Sequence, residues 1–171
     1  MGKEIMLSPR RSVSPSDLKP YVLRVRVRQN LPWEEAVLAA GPDTPEYFDV
    51  LKVGGQYPAG SGEVVKDILL ISDCRWYEIP VIAKTLSLER ALPRDIFALA
   101  KSHPQLPVEL EADLLALEKN PILIVATTEC EFEGITCACE VRWNTDGRRV
   151  DMGWIGDYGG PNHWFAFVNP A

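Results

Sequence analysis

The stretch from Pro121 to Val168 constrains the chain most, because its side chains alternate. Ile122, Ile124, Ala126, Thr128, Cys130 and Phe132 share one parity, and Glu129, Glu131 and Glu133 share the other. Period-two alternation rich in β-branched residues predicts a strand with one buried face. After Gly134 a second run places Ile135, Cys137, Cys139, Val141 and Trp143 on one face, with Thr136, Glu140 and Arg142 on the other. A third run, Arg148 to Ile155, groups Val150, Met152 and Trp154.

Turn chemistry then sets a register. Asp146-Gly147 has the form of a two-residue hairpin loop, since Gly, and less easily Asp, takes the positive φ of a type I′ turn. That loop predicts Trp143 opposite Val150, Val141 opposite Met152, Cys139 opposite Trp154, and Arg142 opposite Asp151. Glu133-Gly134 is a weaker turn because Glu resists positive φ. It predicts Phe132 opposite Ile135, Cys130 opposite Cys137, and Ile124 opposite Trp143. Both registers keep one common apolar face, so the expectation is an antiparallel meander. Trp164 to Val168 reads as a fourth strand, buried on both faces.

Earlier in the chain, Tyr21, Leu23, Val25 and Val27 alternate with Arg24, Arg26 and Arg28. This predicts a half-buried strand whose arginines protect a sheet edge against self-pairing. Pro32 and Gly41 bracket a helix ending at Ala40, with Trp33, Ala36, Val37 and Ala40 inward. Thr44 is placed to cap a second short helix through about Leu51. The glycines of Gly54 to Gly62 read as turn chemistry, because the Lys-Ser/Thr pair of a phosphate loop is missing. Val64 to Ser72 reads as an interior strand. Tyr77 to Ala83 fits either an extended or a helical segment. Pro93 to Ser102 and Pro107 to Glu118 read as helices.

The fold class expected is therefore α+β. A single domain over residues 20–171 carries a C-terminal antiparallel meander, with the short helices of 32–51 and 93–118 packed on one face. Residues 1–19, rich in Ser and Pro, read as a flexible basic arm. A chain of 171 residues with 46% hydrophobic residues suffices for one such core.

Charge divides unevenly along the chain. The net charge is −6, but seven Lys/Arg against two acids give residues 1–30 a charge of +5, leaving −11 for the rest. An acidic body opposes nucleic-acid binding, and no apolar run has the length of a membrane span. Met1 to Leu7 shows no apolar export segment, so a cytoplasmic location with reduced thiols is expected for the four cysteines.

Candidate chemistry is sparse. Cys130, Cys137 and Cys139 converge on one face, but that face is apolar and no CxxC knuckle accompanies them, so neither a metal nor a cofactor is expected. His163 follows the polar Gly156–Asn162 loop. It is the candidate general base, with Asp157 to orient it, of a small hydrolase or transferase. Glu129 and Glu131 form an acidic row, and Arg24, Arg26 and Arg28 a basic one, as candidate binding residues. No catalytic motif stands out, so the leading expectation is a binding or interaction protein, through a protein partner or self-association.

Overall fold

A computed structural model describes residues 18–170, so the expectation of a flexible arm over 1–19 falls almost wholly outside the described residues. Seven strands form one sheet: β1 (Tyr21–Arg28), β2 (Glu63–Ile71), β3 (Glu89–Arg90), β4 (Ile122–Phe132), β5 (Ile135–Asn144), β6 (Gly147–Trp154) and β7 (His163–Val168). Their spatial order is β1-β2-β7-β4-β5-β6, with β3 also paired to β7. All pairings are antiparallel except β4 with β7. The fold is α+β, as the patterning predicts.

Helices α1 (Trp33–Ala40) and α3 (Pro93–Ser102) pack on one face of this sheet. They cover Leu23, Val25 and Val27 of β1 together with Ile122, Ile124, Cys139 and Val141. Helix α2 (Ile79–Thr85), where the sequence left strand and helix open, lies on the other face with Leu69, Ile71, Leu123, Val125, Phe165 and Phe167. Consequently β4 and β7 are buried on both sides, and their sequences read as nearly continuous apolar runs. The helix expected over 107–118 is only a short α4 (Leu106–Glu109) and a later single turn, with Glu111 at φ 56° between them.

The meander forms, with two corrections to its register. The Glu133-Gly134 turn is type I′-like, with φ of 50° and 77°, and Cys130 lies opposite Cys137 as expected. A register shift between Val125 and Glu129 then puts Ile124 opposite Val141 and Ile122 opposite Trp143. The cause is local: beyond Ala126, β4 parts from β7. Thr127, fully buried, bridges the gap by donating to Ala166 O and accepting from the Ala91 N–H.

The second hairpin is slipped by two residues. Val141 faces Val150, Cys139 faces Met152, Cys137 faces Trp154 and Trp143 faces Arg148. The loop is Thr145-Asp146, because the Asn144 side chain accepts from the Asp146 N–H and Gly147 alone takes positive φ, at 128°. Like charges now oppose across the strands, Arg142 with Arg149 and Glu140 with Asp151. This register is held from outside the hairpin. Asp43 pairs with the Arg148 backbone through both N–H groups, and the Thr44 hydroxyl accepts from the Val150 N–H. Thr44 therefore covers the β6 edge instead of capping a helix. The Arg148 guanidinium donates to Ala39 O and Ala40 O at the negative end of α1.

Strand β1 forms the opposite edge of the sheet. Its exposed arginines pair with the neighbouring strand, Arg24 with Asp67 at 2.9 Å and Arg26 and Arg28 with Glu63 at 3.6 and 3.7 Å.

Candidate functional site

Two concavities on the described surface are lined by candidate residues. The first is a polar cleft of about 450 Å³ over β4, β5 and β6, closed by the loop that leads into β7. His163 and Asp157 both line it, with Glu140, Arg142, Asp151 and Tyr158. Arg26 and Arg28 line a second pocket at the β1 edge. Arg24, Glu129 and Glu131 line neither of these two. Glu129 sits 3.8 Å from Arg90, and Glu131 accepts from the Thr136 hydroxyl at 2.7 Å.

Glu140 organises the cleft, although in the sequence pattern nothing distinguishes it from the other glutamates on its face. Its residue is 2% exposed. Oε1 accepts from the Tyr158 hydroxyl at 3.0 Å, and Oε2 accepts from Arg142 Nε at 3.3 Å. The difference from Glu129 and Glu131 lies overhead. Tyr158, on the loop after β6, folds back over β5 and packs against Trp76 and Phe165. Gly153 makes this possible, since a Cβ there would collide with the Tyr158 hydroxyl. The only sequence signal was the concentration of glycines and aromatics around residue 158.

The electrostatics follow from this packing. Burial pushes the Glu140 carboxyl up from its ordinary range, and Asp151 across the strand adds to the effect. Arg142 and the Tyr158 hydroxyl oppose it. Burial also raises Tyr158 far above a free phenol, and Glu140 beside it adds to the effect. His163 is lowered by burial and by Arg142, so it is neutral near pH 7. Its Nδ1 accepts from the Gly159 N–H at 3.0 Å, which leaves the proton on Nε2. Asp157 shares the cleft, but the hydrogen bond that orients the imidazole comes from this backbone amide.

The three meander cysteines are buried free thiols on the apolar face, as is Cys74 elsewhere. Cys130 Sγ lies 3.6 Å from Met152 Sδ. No group of three or more His, Cys, Asp or Glu with metal-binding geometry occurs among the described residues.

Fold and site together define a class: a single α+β domain built on a mixed seven-stranded sheet, with a polar cleft organised by a buried carboxylate. Comparison with protein-family models, curated proteins and solved structures finds no match for this chain. Among the described residues, no helix is long and apolar enough to cross a membrane.

Proposed function

We propose that this is a binding protein whose ligand is a small, uncharged polar molecule held in the cleft of Glu140, Arg142, Asp151 and His163. One observation carries the reading: a carboxylate with both oxygens hydrogen-bonded is held, almost fully buried, at the wall of an open concavity. Nothing in plain folding calls for such a group, since burying a carboxylate costs stability even when it is paired. The lining offers donors from Arg142 and His163 Nε2 and acceptors from Asp151 and Asp157. With His163 neutral, the two aspartates outweigh Arg142, which disfavours an anion. Four buried thiols suit a reducing compartment, and the cytoplasm is the location we propose. A nucleic acid is not the partner proposed, because the chain beyond residue 30 carries a net charge of −11.

The test is a screen of polar metabolites by thermal shift, with hits mapped by NMR on the His163 imidazole. A neutral polyol, amide or nucleoside should raise Tm and move the His163 resonances, and Arg142→Leu should remove both effects. Hits confined to anions, or hits that leave His163 unmoved, would sink the proposal.

A second reading has its own support. Glu140 and Asp151 are directly opposed carboxylates in unlike environments, one buried and one half-exposed. That arrangement separates a proton donor from an ionised partner, as acid–base enzymes require. Turnover of any cleft ligand, abolished by both Glu140→Gln and Asp151→Asn, would move the protein from binder to enzyme.

A further inference from the structure

The second pocket lies at the β1 edge where α1 and α3 meet, and encloses about 230 Å³. Its floor is apolar: Leu31, Ala36, Phe97 and Ala98. Its charged lining is Arg26, Arg28, Arg94 and Lys101 against Glu63 alone, a surplus of three positive charges on a chain whose net charge is −6.

Arg94 differs from the other cations there. It is 8% exposed, and its Nε is buried without a hydrogen-bond partner among the described residues. Nη1 donates to Leu31 O, and the guanidinium stacks 5.9 Å from the Trp33 ring. It also sits in the first turn of α3, the positive end of the helix dipole, where a cation is disfavoured. Asp95, its neighbour, is no counter-ion, because its carboxylate is committed to Lys66 at 2.8 Å and to the Leu92 N–H at 2.9 Å. Burial lowers the affinity of Arg94 for its proton, yet a guanidinium remains charged at any physiological pH. An orphaned buried N–H on a charged group is an expense that natural structures rarely leave uncompensated.

We propose that this pocket binds a small amphiphilic carboxylate, its anionic head on Arg94 and the rim arginines and its short apolar tail on Leu31, Phe97 and Ala98. A pocket of this volume is small for a ligand site, which suits a short acyl chain or one ring. Glu63 lies on the rim, pairing with Arg26 and Arg28 at 3.6 and 3.7 Å. Those pairs are exposed and therefore weak, so an incoming carboxylate displaces them at little cost.

Calorimetric titration of the full chain with octanoate tests this, with octanol and inorganic phosphate as single-feature controls. Octanoate should bind saturably at one site, and each control should bind at least tenfold more weakly. Ala98→Phe, which fills the floor and keeps every cation, should abolish binding. Glu63→Gln should tighten it several-fold, because it removes the competing carboxylate. Arg94→Met should weaken it tenfold or more; circular dichroism checks its fold, and the other two variants decide the matter if it unfolds. Equal affinity for octanol and octanoate would overturn the proposal. So would octanoate binding that survives Ala98→Phe, or no saturable binding to the wild-type chain.

Discussion

The two concavities handle a buried charge in opposite ways. In the cleft, Glu140 has a donor on each oxygen, so its hydrogen bonding is met within the protein. In the β1-edge pocket, Arg94 keeps a donor that the described protein leaves unmet. The first arrangement is rigid and depends on what packs above it. The second is poised and depends on what enters it. A buried charge with internal partners thus holds a preformed wall, whereas one with an unmet donor leaves a place for an incoming acceptor.

The largest expected effect tests the rigidity of the cleft. Phe165 is fully buried beneath it and meets Trp76 and Tyr158 edge-on. Phe165→Ala should cost about 3–5 kcal/mol in urea unfolding. A loss below about 1 kcal/mol, far under the usual range for such truncations, would mean that the floor is loosely packed and the contrast misplaced.

Tyr158→Phe should cost about 1–3 kcal/mol, since it strips a buried acceptor of its donor. A change within the error of the unfolding measurement would show that solvent already satisfies Glu140.

The pH dependence sharpens the same point. The folded-state pKa of Glu140 is raised, so the folded chain holds this proton more tightly than the unfolded chain. Its contribution to stability is therefore full below the usual carboxylate range and is lost as pH rises through the raised value. Glu140→Gln should flatten that part of the stability profile measured by thermal unfolding from pH 4 to 8. An unchanged slope would place its source in another group.

Arg94→Met should cost at most about 1–3 kcal/mol, because it strips Leu31 O of a donor but also removes a buried charge that lacks a full set of partners. A loss as large as that of Phe165→Ala would show that Arg94 serves the fold and not a ligand.

The smallest effect expected is none. Labelled DNA or RNA should not bind at physiological salt, and Arg24/Arg26/Arg28→Ser should change nothing. Micromolar binding that the variant loses would reassign the whole β1 edge to a polyanion.

Local pattern in the sequence determined which residues are strands and which side chains share a face. The Glu133-Gly134 turn put Cys130 opposite Cys137, and alternation put the arginines on one side of β1 and Val141, Met152 and Trp143 on a common face, because side-chain direction in a strand depends only on parity. Parity is blind to a slip of two. The pairing of Val141 with Val150 in place of Met152 was therefore decided by Asp43 and Thr44, about a hundred residues away in the chain. The same limit hid Glu140. It shares its face with Glu129 and Glu131 as the pattern implies, and nothing nearby in sequence marks it as buried. Burial came from Tyr158 folding over Gly153, and the pocket around Arg94 came from α1 meeting α3 beside β1. Faces follow from the spacing of side chains along one strand, but what covers a face is set by segments distant in the chain, and only the folded structure brings those together.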